Sequence, residues 1–91
     1  MADESLAAMM GKVVVFDTGT PIVYLGTLVE ITDHTFVIED ADMHDCRDGH
    51  ANKEAYLAEA HDEGITVNRR RTIVMRSAVI SAALLEDIVN E

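Results

Sequence analysis

The chain is short of cysteine, of long apolar runs and of basic residues. Cys46 is the one cysteine among 91 residues, so no disulfide forms within the chain and a reducing, cytoplasmic setting is expected. Apolar runs such as residues 13–16 and 22–25 are four residues long, far below the roughly 18 of a membrane span. The chain also has no basic start followed by an apolar segment, so we expect neither a membrane span nor a signal peptide.

Basic residues are the scarcer charged group. Lys and Arg number 7 against 17 Asp and Glu, which gives a formal net charge of -10. This charge disfavours a polyanionic partner at long range unless the basic residues are gathered on one face. Arg69, Arg70 and Arg71 form a basic cluster with two interpretations. It binds phosphate, or it neutralises the acidic segment 39–63, which is the commoner fate of such a triplet.

Sequence motifs for catalysis and for metal binding are also missing. The chain has no glycine-rich phosphate loop and no nucleophile elbow, and an acidic loop raises the thiol pKa of Cys46 rather than lowering it. His44, Cys46, His50 and His61 lie among acids, but their spacing gives no two matched zinc-type pairs and no calcium-loop pattern. We therefore predict a solvated acidic loop, with no enzymatic activity, no cofactor and no metal.

The residues that are present suit one small folded domain. The apolar fraction of 48%, the charged fraction of 26% and the many Val and Ile residues argue against disorder and predict a single domain over residues 1–91. A chain of this length is near the lower limit at which one core supports itself. A partner subunit is therefore expected.

The hydrophobic pattern predicts a mainly β fold with two helices. A short helix is expected over residues 3–10, ended by Gly11. A second helix is expected over residues 52–61, with Asn52 as its N-cap. Strands are expected at the following places, the last one fraying into a terminal turn: residues 12–16, 22–31, 36–39, 65–76 and 79–85.

The second of these strands is predicted to bend. Both of its faces are apolar at the beginning, whereas Glu30 and Thr32 make one face polar towards the end. A strand of this kind packs against two surfaces, and Gly26 lies where a bend is easiest. The pattern indicates a curved strand of a small barrel.

Two stretches resemble the motifs of the Sm and LSm protein family. In GTLVEITDHTFVIEDA, residues 26–41, Gly26, Leu28 and Asp33 match the glycine, apolar residue and aspartate of the first Sm motif. In IVMRSAVISAALLED, residues 73–87, Arg76 matches the arginine of the second motif and Ser77 replaces its glycine. With the leading helix and first strand, the resemblance covers nearly all of the chain except residues 42–64.

The resemblance implies a small, five-stranded, strongly bent antiparallel barrel of the SH3-like or Sm-like type. Residues 42–64 would then be an enlarged acidic loop, containing the second helix, between strands 3 and 4. Sm-like subunits form rings in which strand 4 of one subunit pairs with strand 5 of the next. Because edge strands of a small barrel need covering and residues 79–84 are largely apolar, we expect a homo-oligomer.

The resemblance also implies binding of single-stranded RNA. In RNA-binding members, a base stacks at the inner rim between a side chain before strand 3 and the arginine of the second motif. By register His34 and Arg76 hold these positions, and both side chains can stack on a base. Asp33 is expected to hold the turn by bonding to the backbone. Phe36 stands where the family has a base-reading asparagine.

Other interpretations of these residues stay open. His34 is also explained as a half-exposed residue of a strand corner, and Arg76 as a rim residue paired with Asp33 or with an acid of a neighbouring subunit. The alternative function is a homo-oligomeric protein-interaction scaffold, without RNA binding, whose acidic loop docks a basic partner. Phe36 packed inside the fold would favour the scaffold, whereas an open pocket flanked by His34 and Arg76 would favour RNA.

Overall fold

The computed structural model describes residues 4–47 and 52–89, which form a mainly β fold. Two α-helices, five strands and two 3-10 helices follow one another within these residues. In chain order they are α1 Glu4–Ala7, β1 Val13–Asp17, β2 Ile22–Ile31, β3 Thr35–Asp45, α2 Lys53–Glu63, β4 Arg69–Met75, a 3-10 helix Arg76–Ala78, β5 Ser81–Leu84 and a 3-10 helix Leu85–Asp87.

The five strands form one antiparallel sheet in the order β4-β3-β2-β1-β5. β4 and β5 are its two edge strands and do not hydrogen bond to each other. The sheet is therefore not closed into the predicted barrel. Among the described residues, each of the two edge strands keeps one side without a strand partner, since β4 pairs with β3 alone and β5 with β1 alone.

The irregularity of β2 lies at the predicted glycine. The register between β2 and β3 shifts between Leu25 and Thr27 and again between Leu28 and Glu30, and such bulges increase the local bend of a strand. A Cβ atom on Gly26 would lie 3.0 Å from the Cβ of Ala41 on β3. Only glycine allows the two strands to approach this closely.

The sheet buries apolar side chains on both of its faces. One cluster, packed also against Leu6 and Met9 near α1, consists of Val14, Phe16, Leu28, Phe36, Ile38, Ala41 and Val74. The other, on the side of α2, consists of Val15, Val23, Leu25, Cys46, Tyr56, Leu57 and Ala60. Because successive strand residues point to opposite faces, the continuous apolar run of β1 supplies both clusters. β2 supplies Leu28 to the first cluster and Val23 and Leu25 to the second, so its two predicted apolar faces are confirmed.

The third strand is longer than predicted. β3 runs to Asp45, and its last residues pair with the beginning of β2, His44 facing Val23 and Asp45 facing Ile22. The predicted loop 42–64 is therefore wrong for residues 42–45, which are strand. Their acidic and polar character led to the error, because it is typical of loops.

The helix predicted from Asn52 is confirmed. The side-chain oxygen of Asn52 accepts a hydrogen bond of 2.7 Å from the backbone N–H of Ala55, which satisfies one of the free donors at the helix start. α2 ends at Gly64, whose N–H donates to the carbonyl of Ala60 at 2.8 Å. Residues 48–51, which include Asp48, Gly49 and His50 of the predicted loop, lie outside the described residues.

The remaining boundaries move by a few residues. The N-terminal helix is the single turn of α1, and residues 8–11 continue as turns rather than as helix. β4 begins at Arg69, so residues 65–68 are not strand, and residues 77–78 between the last two predicted strands belong to the 3-10 helix Arg76–Ala78. The terminal turn after β5 is present as Leu85–Asp87. Among the described helices, none is long and apolar enough to cross a membrane.

Candidate functional site

The corner between β2 and β3 is held by Thr32. Its hydroxyl accepts hydrogen bonds from the backbone N–H groups of His34 at 3.2 Å and Thr35 at 2.9 Å, and it lies 2.6 Å from the hydroxyl of Thr35. Asp33 is exposed and makes no hydrogen bond to the described residues. The expectation that Asp33 holds the turn is therefore wrong, because the Thr32 hydroxyl takes the donors that an Asp33 carboxylate would have bound.

The structure brings Arg76 to this corner, as the register predicted. The Arg76 backbone N–H donates to the carbonyl of His34 at 2.9 Å, and its guanidinium Nη1 donates to the carbonyl of Thr32 at 2.7 Å. This arrangement follows from the β3–β4 register, in which Thr35 faces Met75. The side chain of Arg76 thus ties the end of β4 to the corner.

A shallow depression of about 490 Å³ lies beside this tie. We call it the corner depression, and it is lined by Asp33, His34, Met75, Arg76 and Ser77. His34 is exposed and Arg76 is partly exposed. Both groups proposed for base stacking therefore border the same opening, together with one carboxylate.

Phe36 lies beneath the corner in the core. Its side chain is 3% exposed, and its ring stacks on Phe16 with 4.6 Å between centroids and 25° between planes. The guanidinium carbon of Arg76 lies 5.1 Å from the centre of the Phe36 ring, within the range of a cation–π contact. A ring in this position fills space and supports Arg76, and it offers no hydrogen bond to a base.

The three arginines of β4 are all exposed. Arg71 lies 3.7 Å from Glu39 and 3.9 Å from Glu30, and Arg69 donates to the neighbouring carbonyl of Asn68 at 3.0 Å. Exposed ion pairs at such distances add little stability. Among the described residues, Glu39 is thus the one acid of segment 39–63 that the triplet approaches. Neutralisation of that segment therefore explains little of the triplet's positive charge.

A second opening lies at the other end of β3 and was not predicted. It measures about 440 Å³ and is bordered by the end of β3, by α2 and by residues 64–68. We call it the acidic groove. Its lining includes Asp42, His44, Tyr56, Glu59, Glu63 and Asn68, and no Lys or Arg among the described residues.

The floor of the acidic groove is built by side chains from separate elements. The rings of His44 and Tyr56 stack with 3.8 Å between centroids and 3° between planes. Asp42 is 3% exposed, and its carboxylate accepts 2.7 Å from the amide of Asn68. Asn68 also donates to the carbonyl of Met43 at 3.1 Å and accepts from its N–H at 3.0 Å. A sequence signal existed in Asp42 and His44, but their partners are distant along the chain.

α2 is anchored to the sheet by a lysine at its start. The Lys53 ammonium donates to Asp17 at 2.6 Å and to the carbonyl of Thr20 at 2.7 Å. Burial raises the pKa of Asp17, but the hydrogen bond from Lys53 and the backbone N–H of Gly19 outweigh it and hold that pKa below its usual value. The anchor fixes the helix that carries Glu59 and Glu63.

The histidines and the cysteine that lie among acids in the sequence are not gathered into a ligand set within the described residues. Across residues 4–47 and 52–89, no three His, Cys, Asp or Glu side chains are placed to hold a metal ion. Cys46 is buried and its pKa is raised, by burial first, which leaves the thiol protonated and unreactive. His44 stacks on Tyr56 instead, and His50 lies outside the described residues.

The chain therefore presents two openings, one at each end of β3. The corner depression contains the predicted pair His34 and Arg76, and the acidic groove concentrates carboxylates between α2 and the sheet. No protein-family model matches the chain, and no curated protein matches it either.

Proposed function

We propose that this protein is an Sm-like subunit that assembles with copies of itself and serves as a protein-interaction scaffold for a basic partner. The observation that carries this choice is the burial of Phe36, which is 3% exposed and stacked on Phe16. The position at which the family reads a base is therefore occupied by a core residue. A scaffold needs no base-reading group at that position.

The open edges of the sheet support self-assembly. Within residues 4–47 and 52–89, β4 and β5 each have one side without a strand partner, and such edges are normally covered or blunted in stable proteins. Apolar side chains are exposed along them: Ile73 is 60% and Met75 53% exposed on β4, and Ile80 is 69% exposed just before β5. Pairing β4 of one copy with β5 of the next would satisfy the backbone groups and bury these side chains together.

The contacts of Arg76 favour the scaffold over RNA binding. Its guanidinium already donates to the Thr32 carbonyl at 2.7 Å and lies over the Phe36 ring, so it stabilises the corner without a ligand. Asp33 adds a negative charge to the same depression, and the whole chain carries a net charge of -10. These charges repel a phosphate backbone.

The acidic groove is the surface that we assign to the basic partner. Glu59 and Glu63 lie on α2 at the opening, together with the buried Asp42, and the described lining of the opening contains no Lys or Arg. A Lys or Arg side chain entering the groove would find carboxylates next to the His44–Tyr56 stack. Charge complementarity of this kind raises both the association rate and the specificity.

The test measures binding of a fluorescein-labelled oligo-arginine peptide by anisotropy, with an oligo-glutamate peptide of equal length as the reference. We expect the double variant Glu59→Gln/Glu63→Gln to weaken arginine-peptide binding about tenfold. Glu54→Gln/Asp62→Asn removes two acids from the same helix but outside the groove, so it should change the affinity less than twofold. No binding at low salt, or equal losses in the two variants, would rule out this surface.

RNA binding is the second candidate, and the corner depression is the observation that favours it. His34 is exposed at its border next to Arg76, and a base could stack on either group. The test is anisotropy with labelled U-rich, A-rich and random RNA across a salt series. His34→Ala removes one stacking group and leaves the core intact, so it should abolish binding if this candidate is right, whereas His61→Ala on α2 should not. Wild-type protein that binds none of the RNAs at low salt excludes the candidate.

A further inference from the structure

The contacts of the β4 arginines within the described residues are few, since Arg71 makes only long ion pairs and Arg69 bonds only to the adjacent Asn68 carbonyl. The two sheet edges offer these arginines a further role. We propose that Arg69 and Arg70 set the direction and register of the pairing between β4 of one copy and β5 of the next, by meeting Glu86 and Asp87 of that second copy. The inference rests on the proposed self-assembly. It adds the charge contacts that select one arrangement of the two edges.

Each edge has a charged end and an apolar end. β4 begins with its arginines and ends with the exposed Ile73 and Met75. β5 has the reverse order, because the exposed Ile80 precedes it and the exposed Glu86 and Asp87 follow it. The basic end of one edge and the acidic end of the other are therefore both continuous with an apolar segment.

An antiparallel arrangement matches these ends. When Met75 faces Ser81 of a second copy, stepping one residue at a time in opposite directions along the two strands brings Thr72 to the level of Leu84, the last residue of β5. The arginines of β4 then continue past the end of β5. Arg69 and Arg70 therefore come next to the 3-10 helix that carries Glu86 and Asp87.

A parallel arrangement would mismatch both ends. The arginines would then lie beside the exposed Ile80, and Met75 would lie beside Glu86. Apolar side chains would be placed against charges, and the arginines would have no acid within reach. The two edges therefore favour the antiparallel direction before any contact forms.

The charges concerned are available for a second copy. Glu86 and Asp87 are exposed and make no ion pair with the described residues, and the same holds for Arg70. Within the part of the chain that the structure describes, Arg69 bonds only to the adjacent Asn68 carbonyl. Glu86 and Asp87 lie in the 3-10 helix just beyond β5, within reach of long arginine side chains rather than of strand backbone.

The test compares two charge reversals at this contact with two elsewhere on the chain. Arg70→Glu is matched by Lys12→Glu, and Glu86→Arg by Glu54→Arg, each at an exposed residue. Native mass spectrometry and light scattering over a protein concentration series give the dissociation constant of the assembly. We expect Arg70→Glu and Glu86→Arg each to weaken assembly about tenfold at low salt, and the two controls to weaken it less than twofold.

Mixing the two contact variants gives the decisive result. Each variant alone presents like charges at every junction, whereas copies that alternate present opposite charges at every junction. We therefore expect the mixture to assemble with alternating composition as tightly as the wild type. If the wild type assembles and the contact variants assemble as tightly as their controls, the register contact is overturned and self-assembly stands. A wild type that stays monomeric at every concentration would overturn both the register contact and the proposed self-assembly. This result is expected if the edges pair with a strand of another protein.

Discussion

The corner depression and the acidic groove lie at opposite ends of β3, and they are built in different ways. The corner is held by backbone hydrogen bonds, by the Thr32 hydroxyl and by one arginine, all within neighbouring strands. The groove depends on α2, which is placed on the sheet by side-chain contacts from Lys53, Tyr56 and Leu57. Strand register therefore fixes the first site, whereas the docking of a helix fixes the second.

The largest effect that separates the two sites is expected at Phe36. Phe36→Ala removes a buried ring that stacks on Phe16 and carries Arg76, and it should lower the free energy of unfolding by about 4 kcal/mol. Urea unfolding measures the loss, with Val67→Ala at an exposed position as the control that should change it by less than about 0.5 kcal/mol. A loss at Phe36 no greater than that of the control would contradict the burial of the ring.

A smaller loss is expected beneath the acidic groove. Leu57 is buried in the cluster that joins α2 to the sheet, and Leu57→Ala should lower the free energy of unfolding by about 3 kcal/mol. Because the groove needs the helix in place, arginine-peptide binding should weaken with it, while the corner should be retained. Hydrogen exchange measures the effect: relative to the wild type, Leu57→Ala should accelerate exchange in residues 53–63 more than in β3 and β4. Equal acceleration in all three elements would show that the two sites are not separate.

The corner can be tested by a pair of neighbouring residues. Thr32→Val keeps the shape of the side chain but removes the hydroxyl that accepts from His34 and Thr35, and it should lower the free energy of unfolding by about 1 kcal/mol. Asp33→Ala, at a side chain without a hydrogen bond to the described residues, should change it by less than about 0.5 kcal/mol. A larger loss for Asp33→Ala than for Thr32→Val would show that Asp33, and not Thr32, holds the turn.

The smallest effect is a dependence on acid at the anchor of α2. The pKa of Asp17 is held below its usual value, so its carboxylate is more acidic in the folded than in the unfolded chain. The ion pair with Lys53 therefore stabilises the fold above the unfolded pKa, and this contribution is lost as the pH falls through the folded pKa. Lys53→Met should flatten the loss of stability between about pH 5 and pH 2, whereas Lys12→Met should not. Parallel profiles for wild type and Lys53→Met would contradict the anchor.

The sequence predicts the corner well because its chemistry is local. Short sequence patterns predict the β-branched strand from Ile22 to Ile31, as they predict the helix capped by Asn52 elsewhere in the chain. The approach of Arg76 to His34 then follows from the pairing of adjacent strands. The holder of the turn was assigned incorrectly, since Thr32 and Asp33 both carry oxygens that bond to a turn backbone. Hydrogen-bond geometry, which the sequence does not contain, decides between them.

The acidic groove was not predicted because its parts come together only after folding. Asp42 is an acid that the chain buries beside Asn68, 26 residues away, and polar residues of this kind are normally assigned to loops. The predicted third strand was therefore too short, and the prediction did not include the part of β3 beside which α2 lies. The position of a helix on a sheet depends on many weak contacts. The periodicity of the sequence predicts which face of the helix is buried, but it does not predict where on the sheet the helix lies.

Asn68 has a consequence for the behaviour of the folded chain in concentrated solution. Its amide donates to the Met43 carbonyl and accepts from the Met43 N–H, so one side chain reproduces the two bonds of a peptide group. The terminal part of β3, which extends beyond the reach of β4, therefore does not present these two groups to a foreign strand. Asn68 therefore hinders the addition of a foreign strand at this part of β3, whereas β4 and β5 each keep one side without a strand partner among the described residues.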